Sequence, residues 1–314
     1  MSTLDGSIQA GDSFGGAGSA TRPGIGNYVS DLFSTIGDFI RSNVSFLRSD
    51  VSTGRRELEQ ILKAEGSEYA ESEIAIYNLF QRTKTNYDRQ VRQDLRSTLS
   101  NHKRDGTLSI TDELMDDVLT WKDRVAHRPA YIVVLGVNPD DPEHRAHLLN
   151  GRYEGACIGK KVGDPKIAKE LEKIAYQDGA ILVGKDGAIL GTNVQLVNVN
   201  PMEIFLDRYD GALPEGVSCK DLCGFKGVAN TRQYSSIAAS YQLPGVVVYT
   251  LGEETGVTRR LRWGGIIFST HPEEHSQAIP QHYVKITPVD TPDTISVPEK
   301  MITEPLQPEA YTPC

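Results

Sequence analysis

The chain has 314 residues, of which 39% are hydrophobic and 24% charged, and its 42 acidic and 33 basic residues give a formal net charge of −9. This balance excludes wholesale disorder, a collagen-like fibre and a generally basic nucleic-acid clamp. Four cysteines are too few for a disulfide scaffold, and no apolar run reaches the roughly 18–20 residues that span a bilayer. We therefore expect a cytoplasmic protein with no membrane segment.

The composition of the two ends of the chain predicts a tail at each end. Residues 1–26 are rich in Gly, Ser, Ala and Thr, and no strand precedes their glycines, so a flexible tail is favoured over a dinucleotide-binding loop. This stretch also has neither the basic start nor the apolar run of a signal peptide. Residues 287–314 are rich in Pro and Thr and have little drive to fold.

Residues 27–127 carry apolar side chains at helical spacing, which predicts helices over about 28–47, 71–100 and 112–124. The apolar stripes need partners, so we interpret this part as a helical regulatory or oligomerisation region. The second helix also carries a basic run, which we interpret as a solvated helix face; nucleic acid is a conceivable partner that the overall charge does not support. The run consists of Arg82, Lys84, Arg89, Arg92, Arg96, Lys103 and Arg104.

From residue 128 onward, strand patterns alternate with helix patterns. The predicted elements are a buried strand at 131–135, a helix from Asp164-Pro165 to about 177, strands on either side of an Asp-Gly turn at 185–187, a helix at 231–242, a strand at 245–249 and a further short strand. A loop region is expected over about 198–229. This order predicts an α/β domain over 128–286, a mixed central sheet flanked by helices, with an α+β arrangement as the alternative.

Three loop motifs in this domain carry candidate chemistry. Asp178-Gly179-Ala180 offers a carboxylate for a metal or a hydroxyl, next to a glycine that lets a ligand approach the backbone. A segment from Gly227 leads into Thr231 and Arg232 at a helix start, where free amides and a guanidinium favour an anion.

The third motif is Gly252-Glu253-Glu254-Thr255-Gly256, which places two carboxylates at a strand end. Together with Asp178 these carboxylates are predicted to bind Mg²⁺ or Mn²⁺ beside phosphate oxygens. An isolated His144 and His147 pair is a second, weaker metal candidate in a polar loop.

The order of these motifs resembles that of the diadenylate cyclase domain, the nucleotide-binding domain of the DNA integrity scanning protein and its relatives. The likeness covers roughly residues 165–270, in which Asp-Gly-Ala is followed after about fifty residues by Thr-Arg and then by Glu-Glu-Thr-Gly. The resemblance implies an enzyme that joins two ATP molecules into cyclic di-AMP with release of two pyrophosphates, using Mg²⁺ or Mn²⁺. It also implies a homo-oligomer, because two domains meet face to face with one ATP each.

The resemblance assigns roles to individual residues. The implied catalytic residues are Asp178, Arg232 and Glu254; the implied nucleotide-binding residues are Gly179, Ala180, Thr231, Gln233 and Gly252; the implied metal ligands are Asp178, Glu253 and Glu254. The chain departs from the family pattern where Gln233 and Tyr234 replace a His and an Arg, and where Gly252 replaces a Ser. The alternative function is therefore a catalytically degenerate module that senses a nucleotide and signals through the N-terminal helices.

Overall fold

The computed structural model describes residues 30–39, 41, 51–104, 107–109, 111–208, 224–225, 230–271 and 273–274. The two predicted tails and Gly227 lie outside the described residues. The helices are α1 over residues 30–39, α2 (Val51–Glu65), α3 (Ala70–Asn101), α4 (Asp112–Ala126), α5 (Pro142–Ala146), α6 (Ala168–Ile174), α7 (Pro201–Arg208) and α8 (Thr231–Gln242). The strands are β1 (Lys103–Arg104), β2 (Thr107–Leu108), β3 (Tyr131–Val137), β4 (Leu148–Leu149), β5 (Ala180–Gly184), β6 (Ile189–Leu196), β7 (Val247–Leu251), β8 (Thr258–Arg262) and β9 (Gly265–Ser269).

A seven-stranded mixed sheet in the order β4-β6-β5-β3-β7-β8-β9 forms the centre of the fold. Strand β3 pairs in parallel with β5 and antiparallel with β7. Every residue of β3 is buried, as its continuous apolar sequence predicts for a strand covered on both faces. The prediction of an α/β fold with a mixed sheet flanked by helices is confirmed.

Alternate residues of β3 point into two different hydrophobic cores. Tyr131, Val133 and Leu135 join a core with α2, the first half of α3 and α6. Ile132 and Val134 join the core on the opposite face of the sheet, which α7 and α8 cover. This alternation follows from the two-residue period of a strand.

A third core lies among α1, the second half of α3 and α4. Its members include Phe39 and Trp121, whose rings meet edge to face with centroids 4.8 Å apart. Tyr87 and Val91 of α3 are buried in the same cluster. The apolar stripes of α1, α3 and α4 are thus partly satisfied by one another within a single chain.

Helices α2 and α3 are joined to the sheet by a buried polar network. The Glu73 carboxylate accepts hydrogen bonds from Tyr249 Oη at 2.6 Å and from Arg260 Nε at 2.5 Å, and all three side chains are buried. Arg260 also donates to Glu65 at the end of α2. The helices before residue 127 and the sheet after it therefore share one core, while α1, the second half of α3 and α4 also have a core of their own.

Several elements were not predicted. Helix α2 buries mainly Leu58 and Leu62 in a strongly polar sequence, so its apolar stripe is too narrow for the period to be recognised. Helix α7 lies in the predicted loop region. After β7 the chain forms the hairpin β8–β9 instead of one short strand.

Candidate functional site

The sheet topology brings the three motifs to one edge. Because β3 and β5 are parallel, both strands begin at this edge, and because β7 is antiparallel to β3, it ends there. His127 and Arg128 precede β3, Asp178 precedes β5, and the residue 252–256 loop follows β7. Helix α8 begins at the same place, with Arg232 in its first turn.

Arg232 lies between two of the predicted carboxylates. Its Nη2 is 3.6 Å from Asp178 Oδ1, and its Nη1 is 3.5 Å from Glu253 Oε2. The Asp178 side chain is fully exposed, and His127 Nδ1 is 3.4 Å from the other Glu253 oxygen. Long, solvent-accessible ion pairs of this kind contribute little stability, so the guanidinium can exchange a carboxylate for an incoming anion at small cost.

Two basic side chains donate hydrogen bonds to backbone carbonyls of the 252–256 loop. Arg128 Nη1 donates to the Glu254 carbonyl at 2.9 Å, and Lys84 Nζ donates to the Gly256 carbonyl at 3.0 Å. Burial lowers the pKa of Lys84 from 10.5 to about 8. The interpretation of the basic run as a solvated helix face is wrong at this position, because Lys84 is only 3% exposed.

The start of α8 is fully capped. Asn230 Oδ1 accepts hydrogen bonds from the backbone amides of Arg232 and Gln233 at 3.1 and 3.3 Å. The Gln233 side chain returns a bond by accepting from the Asn230 amide at 2.8 Å, which completes a capping box. The amides of Arg232 and Gln233 are therefore already bonded, and exposed Thr231 and half-buried Arg232 are what this turn presents to solvent.

Gly179 and Ala180 pack closely against other parts of the chain. Gly179 has a φ of +106°, and a Cβ on it would lie 2.5 Å from the backbone carbon of Asn193, so this position requires glycine for close strand packing. Ala180 is fully buried in the core under α8 and does not present its side chain at the edge.

The residues present do not fit a resident metal ion. Within the part of the chain that the structure describes, no group of three or more His, Cys, Asp or Glu side chains is placed to hold one. Arg232 separates Asp178 from Glu253, which explains why the predicted ligand set does not assemble. At the second candidate, His144 Nδ1 accepts from the Asn138 amide and Nε2 lies 2.9 Å from the Pro244 carbonyl, so both ring nitrogens have partners.

Sequence reasoning missed one cation at this site, Arg259 of β8. Its Nε and Nη2 donate to the two carboxylate oxygens of Glu274 at 2.8 and 2.9 Å, and the side chain is 1% exposed. Its Nη1 lies 3.8 Å from the point that a Cβ on Gly252 would occupy. The available signal was the pair of adjacent arginines, which is unusual in a buried strand.

Comparison with known proteins adds little. No protein-family model matches the chain, and no curated protein matches it. One similar solved structure is the crystal structure of the hypothetical membrane spanning protein from Bacillus cereus, with 16% identity over 64% of this chain and 96% of that chain, at a TM-score of 0.30. A likeness at that score carries no argument here. No helix among the described residues is both long and apolar enough to cross a membrane.

Proposed function

We propose that this chain is a diadenylate cyclase, which condenses two ATP molecules into cyclic di-AMP and two pyrophosphates where two copies meet. One observation carries the proposal: Asp178, Arg232 and Glu253, which come from three separate motifs, meet at one edge of the sheet. The motif order suggests the same function, and their convergence supports it independently.

The side chains at this edge suit phosphoryl chemistry, which depends mainly on positioning and charge neutralisation. Arg232 is the group proposed to bind phosphate, since a guanidinium matches phosphate oxygens with two parallel hydrogen bonds. Asp178 is proposed to accept the proton of an attacking 3′-hydroxyl. The 3′-oxygen then bonds to the α-phosphorus of the second ATP, and the bond from that phosphorus to the bridging oxygen breaks to release pyrophosphate.

The divalent ion is proposed to arrive with the nucleotide. The described residues do not form a metal site of their own, whereas Mg²⁺ characteristically binds through substrate phosphates and one or two carboxylates. We therefore treat the Mg²⁺ or Mn²⁺ complex of ATP as the substrate.

A second copy of the chain is part of the proposal. One chain offers one Asp178, and its side chain is fully exposed at the edge, where a nucleotide held by a facing copy would reach it. Condensing two ATP molecules needs two such edges. A homo-oligomer is thus the proposed working state, and its cytoplasmic location stays a prediction.

One observation favours the alternative, a nucleotide-sensing module without turnover. Gln233 is 5% exposed, and its carbonyl oxygen is engaged in the helix cap. With this oxygen engaged, Gln233 cannot act as the metal ligand or proton acceptor that the His of the family pattern could be. In this alternative, the contacts of Arg128 and Lys84 with the 252–256 loop would carry the signal to the helices.

The deciding experiment incubates the purified chain with ATP and Mg²⁺ or Mn²⁺ and measures cyclic di-AMP by mass spectrometry. We expect product from the wild type and none from Asp178→Asn. The matched control is Asp186→Asn, because Asp186 also precedes a glycine and is exposed, but lies at the other end of β5. Absence of product with both metals would refute the enzyme, and a thermal shift with ATP in that case would support the sensor.

A further inference from the structure

We infer that Arg259 of strand β8 is a phosphate-binding residue, whose Nη1 contacts a phosphate oxygen of the bound nucleotide. The identity of the ligand as a nucleotide rests on the proposed function. The contact itself rests on the geometry around Arg259, which none of the sequence motifs includes.

The Arg259 guanidinium is held rigidly by its neighbours, and one of its three nitrogens has no hydrogen-bond partner among the described residues. Glu274 accepts from Nε and Nη2, and Ser269 Oγ donates to the same carboxylate. The Phe225 ring covers the guanidinium with its centroid 4.7 Å from the central carbon. Nη1 is buried and has no hydrogen-bond partner among the described residues.

A buried N–H of a charged group without a partner is costly, and such groups in folded proteins are nearly always satisfied by a ligand, an ion or an ordered water. Because two nitrogens are fixed by one carboxylate, the guanidinium cannot turn to find another acceptor. The described residues therefore leave Nη1 without an acceptor, which a bound anion would supply.

Three donor groups lie close to the backbone of Gly252. A Cβ on Gly252 would stand 3.8 Å from Arg259 Nη1, 3.6 Å from Gln233 Nε2 and 2.9 Å from Thr255 Oγ1. The Gln233 carbonyl oxygen is engaged by the Asn230 amide, so its amide nitrogen is the group on this side. Two nitrogen donors and a hydroxyl grouped at one short stretch of backbone suit an anionic oxygen once that backbone moves aside, which the absence of a side chain at residue 252 permits.

Gly252 also adjoins the edge where Arg232 lies, because it directly precedes Glu253, one of the partners of Arg232. A triphosphate bound by Arg232 would have a further oxygen within reach of Arg259 after a shift of the 252–256 loop. The shift is required because Nη1 is shielded from solvent in this conformation. Arg259 would then supply a second positive charge for the phosphates.

The test measures binding of three probes by calorimetry: ATP, inorganic tripolyphosphate and adenosine. Arg259→Lys retains a charge for Glu274 but removes Nη1, and Gly252→Ala adds a methyl group beside the three donors without changing charge. We expect both variants to weaken ATP and tripolyphosphate binding roughly tenfold or more and to leave adenosine binding unchanged. Arg262→Lys, an arginine of the same strand that lies near Glu65 instead, is the matched control and should bind like the wild type.

The outcomes separate this inference from the proposed function. Unchanged tripolyphosphate binding in Gly252→Ala, or in a folded Arg259→Lys, overturns the inference, as does a wild type that binds neither phosphate probe. If Arg259→Lys melts far below the wild type, Gly252→Ala decides, because it leaves the Arg259–Glu274 pair in place. Weakened phosphate binding in a chain that makes no cyclic di-AMP supports the inference while refuting the cyclase.

Discussion

The buried contact between Glu73 and Arg260 yields a quantitative prediction for stability. Glu73→Gln removes the negative charge and replaces one carboxylate oxygen with an amide that can only donate. The Gln carbonyl can take the place of Oε2, which accepts from both Tyr249 and Arg260, so the amide nitrogen replaces Oε1 and faces the charged Nη2 of Arg260. Removing one partner of a buried pair costs about 3–5 kcal/mol, and we expect the lower end, about 3 kcal/mol, because Glu65 still pairs with Arg260.

The assay is urea unfolding followed by tryptophan fluorescence, since Trp121 is fully buried. Glu59→Gln is the control: its pair with Arg55 is exposed, and a change within about 0.5 kcal/mol is expected. A loss below about 1 kcal/mol for Glu73→Gln would refute the reasoning.

The same carboxylate predicts a dependence on pH. Burial alone would raise the pKa of Glu73, but the Arg260 charge and its hydrogen bonds outweigh burial and lower the pKa. A lowered pKa in the folded state stabilises the fold above the unfolded value of about 4.3. That contribution is lost as the pH falls through the folded pKa, so wild type and Glu73→Gln should converge in acid.

Three further predictions concern the site and its support. Gly179→Ala places a Cβ 2.5 Å from the Asn193 backbone and should prevent soluble expression or lower the melting temperature strongly. The control Gly66→Ala, at a φ of +62° with open space around it, should lower the free energy of unfolding by only about 1 kcal/mol. The wild-type free energy of unfolding should rise by about 3 kcal/mol between pH 8 and 10.5, because in that window the unfolded chain binds the proton that buried Lys84 has lost. Lys84→Met should abolish this rise. Light scattering with ATP and Mn²⁺ should give a mass of at least two chains, and a strict monomer at high concentration would contradict the face-to-face arrangement.

The sequence predicts the regular elements where local chemistry is strong. The apolar run beginning at Tyr131 forms a strand, the helix beginning at Thr231 is observed over the predicted range, and the Asp186-Gly187 turn joins two antiparallel strands. In each case a short stretch of chain carries its own signal, whether an uninterrupted apolar run or a turn residue with free φ.

The convergence of Asp178, Arg232 and Glu253 depends instead on strand order and direction, which no local pattern encodes. Their proximity was expected from the metal-binding chemistry of the carboxylates and from the likeness of motifs, not from any predicted strand order.

The errors concern polar residues whose environment is set by distant parts of the chain. Lys84 has the spacing of a solvated basic residue, yet it is buried against the carbonyl of Gly256, far away in sequence. Arg259 was passed over because the acidic partner that permits its burial, Glu274, lies in the chain beyond the next strand.

The 32-residue helix α3 has a consequence for how the chain unfolds. At about 1.5 Å per residue it extends roughly 48 Å, and it passes from the sheet core, where it buries Ile76 and Phe80, into the helical core with Tyr87 and Val91. Because both cores pack against α3, unfolding either one would disrupt the helix that the other needs, so the two cores should unfold as one cooperative unit. Amide protons in the middle of α4 should then exchange with solvent at the rate of global opening.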